Sequence, residues 1–298
     1  MKLKGAIPAL VTPYNAAGEV CEEMLRRLVE FYVGVGMNGL YLCGGTGEGV
    51  LLKTWERKKV VEVVVDQCRG RIPIVAHIGC VSTDEAAELA GHAGKVGADA
   101  VSAVPPFFYH VTPDGIYGHY LRIAESTKLP LIVYNIPALT GVTVTPAILA
   151  KLMEIPSVTG IKFSSYNLFE LGQMAALDGG RMNILSGNDE IFLAALSMGA
   201  QGSIGLTHNF MPRLYLDIYE KFASGRLAEA RELQNYVVRV ISVLVKYPVI
   251  PAAKEIMRFS GYDCGDCRRP LEPLSAVQKT SLREELTQLG FFEKKLGL

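Results

Sequence analysis

The sequence has no apolar run approaching the ~20 residues needed to span a bilayer. It opens MKLKGAIPALVTPYN, where two lysines precede an apolar stretch too short, and too broken by Pro8 and Pro13, for a signal-peptide core. That stretch reads as a first β-strand, and a cytoplasmic protein is the expectation. Charge of one sign is also missing: 30 Lys and Arg stand against 30 Asp and Glu, scattered with no basic or acidic tail. Neither nucleic acid nor an anionic membrane is therefore an expected partner. Cysteine is sparse. Cys21, Cys43, Cys68 and Cys80 are dispersed, and Cys264 and Cys267 form one C-x-x-C in a Gly-rich turn, with no second pair and no histidine after it. That spacing argues against structural zinc and against a redox dithiol. The five histidines, His77, His92, His110, His119 and His208, show no metal-ligand spacing, and His208 alone is assigned to a strand end. No G-x-G-x-x-G follows the first strand, and no phosphate-binding loop is present.

What is there is alternation. Of the 298 residues, 49% are hydrophobic, enough for a large core. Short β-branched runs are expected as strands at Gly5–Val11, Gly39–Cys43, Ile72–His77, Ala98–Val104, Leu131–Tyr134, Val158–Lys162, Met182–Ser186 and Gly202–Gly205. Most are continuously apolar, as parallel strands covered on both faces are. Helical patterns lie between them. Cys21–Val35 carries Leu25, Leu28, Val29 and Tyr32 on one face, and Ser82-Thr-Asp-Glu85 has the form of a capping box. Thr112-Pro113 and Thr145-Pro146 each place a capping hydroxyl before an N1 proline. Eight strand–helix units favour an α/β fold of the (β/α)8 TIM barrel type over a doubly wound sheet. The barrel is expected over residues 1–225. Residues 226–298 read as a C-terminal helical extension, packed on the barrel or on a neighbouring subunit, with helices at Leu227–Lys246, Ala252–Ser260 and Ser275–Leu289.

In such a barrel the chemistry sits at the C-terminal ends of the strands. Strand six ends in Lys162, an ammonium group at the end of an apolar run. Burial there disfavours the charged amine, and a neutral amine attacks a ketone to form a Schiff base. Taken alone, the position equally admits a lysine paired with a strand-end carboxylate. Tyr134 ends the adjacent strand, where a phenol can shuttle a proton or simply serve as a core tyrosine. GGTGEG offers backbone N–H groups and the Thr46 hydroxyl to an anion such as a carboxylate, or forms a tight connection. GNDE places Asp189 and Glu190 where they either accept hydrogen bonds from polyol hydroxyls or open a helix.

GGTGE, YNIPALTG, GIK and GNDE, in this order and spacing, resemble the N-acetylneuraminate lyase / dihydrodipicolinate synthase superfamily. The resemblance covers nearly the whole chain. It implies a Schiff-base class I aldolase on a (β/α)8 barrel, assembled as a homotetramer and needing no metal or other cofactor. It implies that Lys162 forms the imine, that Tyr134 shuttles the proton, and that Gly45 and Thr46 hold the pyruvate carboxylate. Ser164 would contact the sugar chain, and Gly187, Asp189 and Glu190 its polyol tail. The dihydrodipicolinate synthases resemble one another in an arginine where this chain has Leu139, so the lyase branch is the nearer, as Tyr109 in PFFYH also indicates. Four positions depart from the lyase pattern: Gly45 and Leu206 replace serines at the substrate, His208 replaces a tyrosine, and Phe108 stands where a relay tyrosine is usual.

The implied reaction is cleavage of N-acetylneuraminate, or a close relative, to pyruvate and N-acetylmannosamine, ordinarily in sialic acid breakdown. The partners implied are a 2-oxo sugar acid and pyruvate. The rivals are an aldolase of the same fold acting on a 2-keto-3-deoxy sugar acid or on aspartate semialdehyde, and a non-catalytic barrel that binds a 2-oxo acid. The last has no use for Lys162 and Tyr134 together.

Overall fold

The computed structural model of the chain describes residues 2–294. The last four residues of the expected extension lie outside the described residues. Eight strands alternate with helices: β1 Gly5–Pro8, β2 Leu40–Leu42, β3 Ile74–His77, β4 Ala100–Ala103, β5 Leu131–Asn135, β6 Val158–Phe163, β7 Asn183–Ser186 and β8 Gly202–Gly205. The helices are α1 Glu22–Val35, α2 Thr54–Cys68, α3 Thr83–Val96, α4 Pro113–Ser126, α5 Pro137–Thr140, α6 Pro146–Leu152, α7 Leu168–Ala176, α8 Phe192–Ser197 and α9 Pro212–Ala223. Three more follow: α10 Leu227–Leu244, α11 Val249–Phe259 and α12 Ala276–Gln288. The strands pair in parallel in the order β1-β8-β7-β6-β5-β4-β3-β2. A parallel bridge from Ala9 to Tyr41 spans the remaining seam. This is the expected (β/α)8 barrel with C-terminal helices. Among the described residues no single helix is long and apolar enough to cross a membrane.

Successive residues of a strand point to opposite faces, and the two faces separate cleanly. Ile7, Tyr41, Val75, Ala100, Ile132, Tyr134, Leu185 and Ile204 form one buried cluster inside the barrel. Their neighbours Ala6, Leu40, Leu42, Ile74, Ala76, Val101, Val133, Ile161 and Ile184 belong to the second cluster, between strands and helices. Both faces are buried, so the strand sequences show little polar alternation. Five strands, β1, β2, β3, β4 and β7, are shorter than expected, while β5 and β6 each run one residue further, to Asn135 and Phe163.

The helix signals hold in part. Leu25, Leu28, Val29 and Tyr32 are the buried face of α1. Thr112 and Thr145 accept from Gly115 N and Ile148 N, each before an N1 proline. Ser82 caps α3 by accepting from Glu85 N. The return half of the capping box is not made, because the Glu85 carboxylate accepts instead from the Thr54 hydroxyl, 2.5 Å away on α2. The inter-helix bond replaces the local one.

Candidate active site

Lys162 and Tyr134 are register partners across β5 and β6. Both point into the barrel, because they share strand parity with the interior residues and not with Ile161 and Val133. The Lys162 Nζ lies 4.1 Å from the centroid of the Tyr134 ring and 4.5 Å from that of Tyr41. Lys162 is 4% exposed. Among the described residues no carboxylate comes within ion-pair distance of it, although the chain holds many other Lys and Arg pairs. The alternative of a lysine paired with a strand-end carboxylate is thereby removed. What faces the amine is the two aromatic rings of Tyr134 and Tyr41.

The surroundings include groups that strand parity could have revealed and motif reasoning missed. Tyr41 donates to the Ser102 hydroxyl at 3.0 Å. Burial pushes the Tyr41 phenol well above its ordinary pKa, and neighbouring Tyr134 adds to this. His77 ends β3, so the assignment of His208 alone to a strand end fails. Its Nδ1 lies 3.1 Å from the Cys43 carbonyl and so carries the proton, which leaves Nε2 buried without a partner. Burial, the Arg57 guanidinium and the Lys162 amine hold its pKa well below the ordinary value, so the imidazole is neutral. Arg57 in turn donates to the carbonyls of His77 at 2.6 Å and Gly79 at 3.0 Å.

Gly45 and Thr46 lie at the open edge of the loop that follows β2. The loop is braced from within: Glu48 N donates to Gly45 O, Gly49 N to Gly44 O, and the Thr12 hydroxyl to Gly47 O. The N–H groups of Gly44, Gly45, Thr46 and Gly47 find no acceptor among the described residues. Successive free N–H groups of this kind make an anion-binding concavity.

Ser164 and Gly187 close the gap between β6 and β7. A Cβ on Gly187 would lie 1.8 Å from the Ser164 Oγ, so only glycine allows the approach. The Ser164 hydroxyl is buried without a partner, as is the Asn188 Oδ1. Glu190 is half-buried, and its carboxylate accepts from the exposed Tyr166 phenol, a residue the motifs did not single out. Asp189 behaves differently from its neighbour. It is 6% exposed, and its Oδ2 accepts from both Thr207 N and the Thr207 hydroxyl at 2.7 Å. Its Oδ1 lies 3.5 Å from the His208 Nδ1. Burial alone would raise the Asp189 carboxyl, but His208 and the Thr207 donors outweigh it and hold the pKa below the ordinary value. His208 is stacked on Tyr215 at 3.7 Å and meets the Ser203 hydroxyl at 2.8 Å. Leu206 packs against the apolar shell between strands and helices. Phe108 and Tyr109 are exposed in the loop after β4, and Leu139 is exposed on the short helix α5 that follows β5. Among the described residues no three His, Cys, Asp or Glu side chains cluster to hold a metal ion.

The arrangement thus joins a buried amine, an adjacent phenol, a loop with four N–H groups without acceptors among the described residues, and a polar mouth between β6 and β8. Comparison with known proteins gives a consistent answer. The dihydrodipicolinate synthetase family profile matches residues 2–289. An N-acetylneuraminate lyase of Rhizobium meliloti (strain 1021) is 37% identical over 284 residues, covering 95% of this chain and 94% of that protein. A solved structure of a Ruminococcus gnavus sialic acid aldolase, described as a catalytic lysine mutant, superposes with a TM-score of 0.95 at 30% identity, covering 99% of this chain and 98% of the other. A dihydrodipicolinate synthase from Aquifex aeolicus superposes with a TM-score of 0.92 at 32% identity, covering 97% and 98%.

Proposed function

Because the chain belongs to the dihydrodipicolinate synthetase family, we propose that it is a lyase: a Schiff-base aldolase that cleaves N-acetylneuraminate, or a close relative, to pyruvate and N-acetylmannosamine. The observation that carries the reading is Lys162, buried at the inner end of β6 with two aromatic faces and no carboxylate beside it.

The substrate carboxylate is held by Gly45 and Thr46 and the free N–H groups of their loop. The Lys162 amine attacks the C2 carbonyl, and loss of water gives the imine. Tyr134 relays the proton from the C4 hydroxyl as the C3–C4 bond breaks. The bonding pair passes toward the imine nitrogen, leaving a pyruvate enamine and an aldehyde at C4. Protonation at C3 and hydrolysis of the imine release pyruvate and restore the amine. Neutral His77, lodged between Cys43 and the tyrosines, adds no positive charge near the imine nitrogen. Ser164, Gly187 and Glu190 receive the polyol tail. Asp189 shapes the same mouth by holding the turn after β8 through Thr207. No step requires a metal or a diffusible cofactor. A cytoplasmic homotetramer, with residues 1–225 as barrel and 226–298 as extension, completes the proposal.

Borohydride reduction with pyruvate, followed by peptide mass analysis, tests the chemistry. A stable pyruvyl adduct is expected on Lys162, and an unmodified Lys162 would reject the mechanism. A coupled assay for pyruvate release tests the substrate. Release from a 2-keto-3-deoxy sugar acid but not from N-acetylneuraminate would assign the chain to a different aldolase of this fold.

A further inference from the structure

The loop that offers its N–H groups to the carboxylate also carries Glu48, a side chain with no place in the chemistry. Glu48 is buried, and the loop bends around it. Cys43 and Glu48 both hold left-handed backbone, with φ of 56° and 55°, which non-glycine residues adopt at a cost. A Cβ on Gly49 would lie 1.8 Å from the Cys43 carbonyl oxygen, so the loop doubles back on itself with no slack. Such a shape persists only where the surroundings over-determine it.

The surroundings come from the far end of the chain. Glu48 Oε1 meets the Lys254 Nζ of α11 at 2.7 Å, with the two side chains 0% and 2% exposed. Glu48 Oε2 accepts from Arg268 N at 2.7 Å. Lys254 Nζ also lies 4.3 Å from the Tyr14 ring centroid and 3.4 Å from the Asp266 carbonyl. The Arg268 guanidinium lies 4.6 Å from the same ring, and bonds to Glu56 at 2.6 and 2.5 Å and to the Leu51 carbonyl at 3.3 Å. Both partners of the Glu48 carboxylate therefore lie within residues 254–268.

We propose that Lys254 and Glu48 are positioning residues of the carboxylate subsite, a buried charged strut by which the C-terminal helices keep the Gly44–Gly47 N–H groups free and preorganised for the 2-oxo acid carboxylate. The inference rests on the aldolase reading given above. Neither side chain touches the reacting atoms. A carboxylate contact is present in both the ground state and the transition state, so its loss raises KM and leaves kcat largely in place. Removing Lys254 alone adds a second effect, because the unpaired Glu48 anion then sits in the loop that must accept a carboxylate.

The test uses the full-length chain and pyruvate as the probe. Wild type, K254M and the charge-neutral pair E48Q/K254M are trapped with borohydride over a pyruvate concentration series, and folding is followed by circular dichroism. The half-saturating pyruvate concentration is expected to rise about tenfold or more in K254M. KM for the sugar acid rises with it, and kcat falls much less. In E48Q/K254M, which has no uncompensated buried charge, folding is expected to recover while half-saturation stays above wild type. If a folded K254M or E48Q/K254M half-saturates within about twofold of wild type, a range too small for a displaced subsite, the strut has no positioning role. A fall in kcat with unchanged KM would also overturn it. If wild type itself traps no pyruvate, the aldolase reading fails, and the inference falls with it for a different and recognisable reason.

Discussion

Asp189→Ala is the sharpest test of how the mouth of the barrel is held. The Asp189 carboxylate is buried between the turn after β7 and the turn after β8, accepting two bonds from Thr207 at 2.7 Å each. The Thr207 hydroxyl, its proton given to Asp189, accepts from Tyr215 at 2.5 Å, and His208 stacks on that ring. Removing the carboxylate deletes two charge-assisted bonds and leaves the Thr207 N–H buried without an acceptor. Together these cost about 3–5 kcal/mol. For a chain of this length that corresponds to a fall in Tm of roughly 5–8 °C. Asp189→Asn keeps one acceptor oxygen toward Thr207 and should cost about 1–2 kcal/mol. The sign of the pH dependence is fixed by the lowered pKa: the stabilisation is present above the unfolded carboxylate value and is lost as pH falls through the folded one. The gap between D189A and wild type should therefore narrow in acid. Thermal and urea denaturation followed by circular dichroism measure all three effects. A D189A chain within about 1 kcal/mol of wild type, the range of an ordinary surface substitution, would refute the reasoning.

Two further outcomes follow from the same geometry. Gly45 has open space for 4 Å around the point where a Cβ would stand and no left-handed φ, so Gly45→Ser should fold as wild type; its hydroxyl should lower the half-saturating pyruvate concentration severalfold, about the worth of one added hydrogen bond, and an unchanged or raised value in the borohydride assay would place the carboxylate elsewhere. His119 is buried against the Thr83 hydroxyl, and burial pulls its pKa down to about 4. Between pH 6.5 and that value the unfolded chain binds a proton the folded chain refuses, so stability falls as pH falls, by up to about 3 kcal/mol. His119→Gln should flatten this acid limb in denaturation series, and an identical limb would exclude His119 as its source.

The barrel was legible because its strands are continuous apolar runs, and the amine was legible because a lysine interrupts one of them. Lys162 and Tyr134 prove to be register partners, as adjacent strand ends suggested. What motifs could not supply was direction. Strand parity alone would have placed Tyr41 and His77 inside with Lys162, but neither carries a recognised signature. The supports were less accessible still. Gln234 of α10 donates to the backbone carbonyls of Asp189 and Glu190, some 45 residues away, and Lys254 and Arg268 reach Glu48 from the far end of the chain. No local pattern encodes contacts at that separation. The Ser82 capping box failed for the same kind of reason, since a tertiary partner on α2 took the carboxylate that local chemistry assigned to the helix end.

The departures from the lyase pattern acquire different weights once they are placed in space. His208 is fully buried, stacked on Tyr215 and bonded to Ser203, so that position acts through Asp189 and not through direct contact at the mouth. Leu206 is packed into the shell between strand and helix, so a serine there would have to leave an apolar neighbourhood to reach a ligand. Gly45, by contrast, lies at the exposed edge of the carboxylate loop with open space beside it. On the proposed aldolase function, differences in substrate preference are expected to trace to two places. One is the loop edge at Gly45, proposed above to hold the carboxylate and so expected to affect any 2-oxo acid whatever its tail. The other is the Tyr166–Glu190 pair, whose hydrogen bond a polyol must share or displace. Because the first affects every substrate and the second only long ones, comparing pyruvate with a sugar acid separates the two contributions.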